Sequence, residues 1–138
     1  MNVTTIPPNM IGTWELIDWI VIKDGKFHSY PMGEDVQGQL IYTVEGRMSG
    51  FLMRADFKDE EPRTPATASI CISYAGTFHL EGNQIVHNVL LSTVPEWIGG
   101  PLLRTMVWQD GGLLLKTTPS IASDGHAYTN ELLWKRLT

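Results

Sequence analysis

One cysteine, Cys71, in 138 residues excludes an intrachain disulfide and any cluster of thiolates around a metal. Basic residues are scarce, ten Lys and Arg against fifteen Asp and Glu, for a net charge of -5. No basic run interleaved with aromatics is present, so nucleic acid is not an expected partner. No apolar stretch approaches the ~20 residues of a membrane-spanning helix. The opening "MNVTTIPPNM" has neither the basic start nor the apolar run of a signal peptide, which makes the cytoplasm the expected location. His28, His79, His87 and His126 fall on separate segments without metal-site spacing, so no metal is expected. The Gly pairs at 99–100 and 111–112 are turn signals rather than a phosphate loop, and no cofactor is expected. A Gly-x-Ser-x-Gly elbow is missing too, which argues against a serine hydrolase.

What is present is a period of two. Alternating apolar and polar residues mark candidate strands at 12–23, 38–44, 46–54, 72–80, 84–93, 102–109, 112–118 and 127–137. Between them lie "DGK" at 24–26, "VEGR" at 44–47, "EGN" at 81–83, "DGG" at 110–112 and "SDGH" at 123–126, whose Gly residues supply the positive φ of tight turns. Eight short strands joined mainly by hairpins predict an all-β, antiparallel meander closed into a barrel, one domain over 1–138. Residues 27–37 are expected to cross one barrel end and 55–65 to form a charged, exposed loop. Thr64-Pro65 reads as an N-cap and first helical position, placing a short helix near 65–71.

"GTWEL" at 12–16, ahead of such a meander, and "LLWKR" at 132–136 resemble the opening and closing of the lipocalins and their calycin relatives. The blocks "GTWELIDWIV", "YPMGEDVQGQLIYTVEGRMSGFLMR", "YAGTFHLEGNQIVHNV" and "PEWIGGPLLR" are similar, in order, to those of the small bacterial and fungal lipocalin-like domain family. The resemblance spans essentially the whole chain. It implies a closed barrel with an apolar central cavity, and a cation from the last strand over Trp14 at the barrel base. It leaves function open, since fold does not decide it.

Strand parity selects the candidate cavity residues. On 12–23 the polar ends put Trp14, Leu16, Asp18, Ile20 and Ile22 inside. On 127–137, Tyr128, Asn130, Leu132 and Trp134 point inward, with Arg136 near Trp14. His87 is placed inside by its family-like context. Arg104 is placed inside with Met106 and Trp108 as the heavier aromatic face. Strand 46–54 leaves Ser49, Phe51 and Met53 undecided against Met48, Gly50, Leu52 and Arg54, and Met53 joins the candidate lining. Trp97, in a Pro- and Gly-bounded loop, is a candidate lid. Tyr42, Tyr74 and Tyr128 are core or rim residues, any of which offers a phenolic donor.

A lone carboxylate among these side chains has to be paired, hydrogen-bonded or protonated, so Asp18 is either a structural acid tied to Arg104 or a functional one. Two functions follow. In one, the barrel binds a small, mostly apolar molecule with one polar oxygen function, held by Arg104, Tyr128, Asn130, Trp97, Met53 and Trp108. In the other, it is a cofactor-independent enzyme of cyclisation, isomerisation or dehydration, with Asp18 and His87 as acid and base. Trp19, read as outward beside Ile17 and Val21, offers a patch for a homodimer.

Overall fold

A computed structural model describes residues 6–60 and 70–138 of the chain. Ten strands form in chain order: β1 (Gly12–Lys23), β2 (Lys26–Ser29), β3 (Gln37–Tyr42), β4 (Arg47–Met53), β5 (Cys71–Glu81), β6 (Gln84–Ser92), β7 (Pro101–Gln109), β8 (Gly112–Thr117), β9 (Ser120–Ile121) and β10 (Ala127–Arg136). All ladders are antiparallel, and β1 pairs with both β3 and β10. The ring β1-β3-β4-β5-β6-β7-β8-β10 therefore closes as an eight-stranded barrel, as expected. The two extra strands are short ribs, β2 on the far end of β1 and β9 on β10. The expected helix near 65–71 falls almost wholly on 61–69, outside the described residues.

One end of the barrel is plugged. Trp14 lies opposite Leu40 and Arg136 on its neighbouring strands. Its indole N–H donates to the Met10 carbonyl at 3.0 Å, and the Arg136 guanidinium sits 5.8 Å from the ring centroid. Met10, in a 3₁₀ turn at Pro8–Met10, is fully buried beneath it. The backbone comes so close here that only glycine fits at position 12. A Cβ there would stand 2.0 Å from the Thr138 carbonyl oxygen, and φ is +137°.

A single residue changes the phase of β1. Leu16 pairs with Trp134 and Asp18 with Leu133, leaving Ile17 as the unpaired residue of a bulge. Beyond an extra residue the two faces of a strand exchange. Trp14 and Leu16 thus point inward, but so do Trp19 and Val21, opposite Leu132 and Asn130. Asp18, Ile20 and Ile22 move to the outside. This corrects the inward reading of all three, and also the outward reading of Trp19 and Val21. A second bulge, at Leu90 where β5 meets β6, lets Gly76 approach the Asn88 carbonyl so closely that a Cβ would fall 1.9 Å from its oxygen.

Candidate functional site

Above the plug the barrel encloses a cavity of about 160 Å³. Leu40, Leu52, Leu115 and Leu132 give it an apolar wall, and Gly50 opens space where other strands place a side chain. Trp19, Tyr74, Trp97 and Trp134 add aromatic surface, and His87, Arg104, Thr117 and Asn130 are its remaining polar groups. Among the described residues, no Asp or Glu lines it.

Of the residues read from the sequence, His87, Arg104, Asn130 and Trp97 come together here. Trp97 ends a 3₁₀ turn at Pro95–Trp97 and meets Tyr74 edge-on, ring centroids 5.6 Å apart. The others are elsewhere. Asp18 is outside, through the bulge. Met53 shares the outer side of β4 with Ser49 and Phe51, because Met48, Gly50 and Leu52 are the buried set. Tyr128 has the inward parity expected of it but stands at the rim, its hydroxyl donating to Asp124 at 2.6 Å. That carboxylate raises the Tyr128 pKa. Trp108 also has inward parity, opposite Leu113, yet it belongs to the plug, 6.1 Å from Trp14.

His87 is 1% exposed and held between two phenols. The Tyr42 hydroxyl lies 2.7 Å from Nε2 and the Tyr74 hydroxyl 2.9 Å from Nδ1. Burial, and then the charge of Arg104, lower its pKa to about 3, so the ring is neutral at ordinary pH. Burial raises the pKa of Tyr42 well above its usual value and also raises that of Tyr74, where the neighbouring Arg104 opposes the shift.

The proton count in this chain has a directional result. A neutral imidazole donates from one nitrogen and accepts at the other, so one phenol gives its proton to His87 and the other keeps its own. Tyr42 is 1% exposed and bonds only to His87 among the described residues, so a leftover Tyr42 O–H would be a buried orphan costing about 1–3 kcal/mol. The favoured arrangement is Tyr42 O–H to Nε2, then Nδ1–H to the Tyr74 oxygen. The Tyr74 O–H is left for the cavity.

The other polar groups have the same bias. The Trp19 indole N–H donates to Asn130 Oδ1 at 2.8 Å. Because an indole can only donate, Asn130 must present its oxygen there and keeps its NH₂ group unspent among the described residues. Thr117 Oγ1 accepts from the Asn130 backbone N–H at 2.9 Å, which leaves its hydroxyl proton. Arg104 donates to the Leu103 carbonyl and to the Tyr74 oxygen, keeps further N–H groups, and pairs with no carboxylate among the described residues. The buried Trp134 indole N–H has no acceptor among the described residues.

A family model for the lipocalin-like domain matches residues 11–137. The chain belongs to the lipocalin-like domain family. No curated protein and no solved structure matches it at a meaningful level. The lipocalin-like barrel explains the plug: its Gly12, Trp14 and Arg136 are the residues whose spacing marked the two ends of the chain. Sequence reasoning missed Trp19, hidden by the bulge, and the pairing of Tyr42 and Tyr74 through one histidine. A clue to the bulge lay in "ELIDWIV" at 15–21, where a carboxylate interrupts one apolar face while a tryptophan sits on the other.

Proposed function

We propose that the barrel binds a small, mostly apolar molecule carrying one polar oxygen function. The observation that carries this reading is the cavity itself: leucine and aromatic walls around unfilled space, with a few polar groups converging on it, the composition of small-ligand sites. An engineered apolar cavity of about 150 Å³ holds a benzene molecule, which sets the scale of the ligand body at about one ring. Binding is favoured over acid–base turnover by Asp18 and His87 because those two groups lie on opposite sides of the barrel wall. His87, with both nitrogens engaged, supports the wall more readily than it exchanges protons with a substrate.

The test is a thermal melt with p-xylene, alongside native mass spectrometry of the freshly purified protein. Ligand at about 100 times its Kd adds about 2.7 kcal/mol and raises Tm. The added Cβ of Gly50→Leu meets only ordinary contacts, with Leu40 Cδ1 at 3.6 Å and Met48 Cε at 3.9 Å, while the rest of the side chain occupies the cavity. That variant should fold and lose the shift. A wild-type protein that neither responds to p-xylene nor carries a bound molecule would sink the proposal.

A further inference from the structure

We infer that the oxygen function of the ligand is anionic: a carboxylate or enolate on a body of about one aromatic ring, seated against Arg104, Asn130 and Tyr74. This rests on the reading of the barrel as a binder of small molecules and names the chemical class that it takes. The argument is one of supply. Arg104 and the Asn130 NH₂ can only donate. The Tyr74 O–H is released toward the cavity because Tyr42 occupies the accepting nitrogen of His87. Of the groups that could have accepted, the one accepting nitrogen of His87 is taken by Tyr42, and Asn130 Oδ1 already accepts from Trp19.

A hydroxyl or amine ligand would bring a proton for which the described residues of the lining offer only second lone pairs, on the Asn130, Tyr74 and Thr117 oxygens, each of which already accepts a bond. A carboxylate brings only acceptors. It also answers the charge balance, since Arg104 is a cation in a lining that holds no Asp or Glu among the described residues. Had Asp18 followed the plain alternation of β1, it would have supplied that anion from the protein. The bulge at Ile17 puts it outside and leaves the position to the ligand. The aromatic walls select a flat body behind the head group, and Trp97 lies over it at the mouth.

Three probes of one shape separate the possibilities: 4-methylbenzoate, its neutral isostere 4-methylbenzamide, and p-xylene, titrated at pH 7 by calorimetry and tryptophan fluorescence. The expected result is that the benzoate binds at least about tenfold tighter than the amide, as charge-assisted hydrogen bonds require. Arg104→Met should bring the two to nearly equal affinity, and Arg104→Lys, which keeps the charge without the fork, should restore part of the ratio. Equal binding of benzoate and amide to the wild-type protein would overturn the anion and leave the cavity reading standing on p-xylene. Failure of all three would overturn both. The wild-type ratio decides the matter even where a variant does not fold.

Discussion

The two ends of this barrel are built from similar residues and put to opposite uses. At the plugged end, Trp14 donates to a backbone carbonyl, Arg136 lies over its ring and donates to the Asn9 carbonyl, and Met10 closes the floor with no exposed area. The Trp14 indole N–H and the Arg136 guanidinium both find backbone acceptors there. At the cavity end an arginine, an asparagine and a tyrosine are again set among tryptophans, but their donors outnumber their acceptors. A tryptophan and a cation thus mean closure where the hydrogen bonds balance and, on the proposed function, a binding site where they do not. Composition alone does not tell the two apart; the accounting of protons does.

Breaking the plugged end should have the largest effect. Trp14→Ala removes the buried indole, the bond to Met10 and the seat of Arg136, and should cost about 3–5 kcal/mol in urea unfolding. The cavity end is tested through pH. His87 has its pKa lowered from 6.5 to about 3 in the folded protein, so between those values the unfolded chain binds the extra proton. Stability from this group is therefore complete above pH 6.5 and falls as the pH drops toward 3, by about 1.4 kcal/mol per unit. Denaturant titrations at stepped pH should show that slope, and His87→Leu should flatten it whatever its effect on stability at pH 7. The smallest effect belongs to the residue that looked most chemical. Asp18→Asn, on the outer face, should change stability by no more than about 0.5 kcal/mol and leave ligand affinity unaltered. A large loss of affinity in that variant would erase the contrast between the inner and outer faces of β1.

The fold was legible because period-two patterning and turn residues are local signals, and all eight barrel strands were found close to their ends. The short β2 and β9 were not, since two to four residues carry too little pattern. The site was legible in part, for a reason particular to each strand. On β10, Asn130 and Trp134 stand opposite plainly polar neighbours, so parity decided correctly. On β4, Leu52 and Met53 are both apolar, and the choice between faces needs the register with β3 and β5. On β1 the alternation was clear and misleading, because a one-residue bulge leaves composition untouched while exchanging inside for outside. The relation of Tyr42 and Tyr74 to His87 joins three strands, and nothing in a linear sequence states that their side chains form one hydrogen-bonded chain.

The loop that carries Trp97 has a kinetic meaning. Beside the second bulge of β6, Val89 takes up backbone bonds with Gly99 and Gly100, at 3.0 and 3.2 Å, and Thr93 bonds back to Ser73 at 2.9 Å. Both feet of the loop are thereby stitched to the barrel, and its crest is tightened by the bonds of the 3₁₀ turn between Val94 and Trp97 and between Pro95 and Ile98. Little backbone is left to swing open. On the proposed function, passage past this loop would turn on rotation of the Trp97 indole about a fixed frame, a motion of nanoseconds rather than the microseconds to milliseconds of a hinged lid. Molecules should enter and leave at rates set by their encounter with the mouth, and residence time should be governed by what holds them once inside.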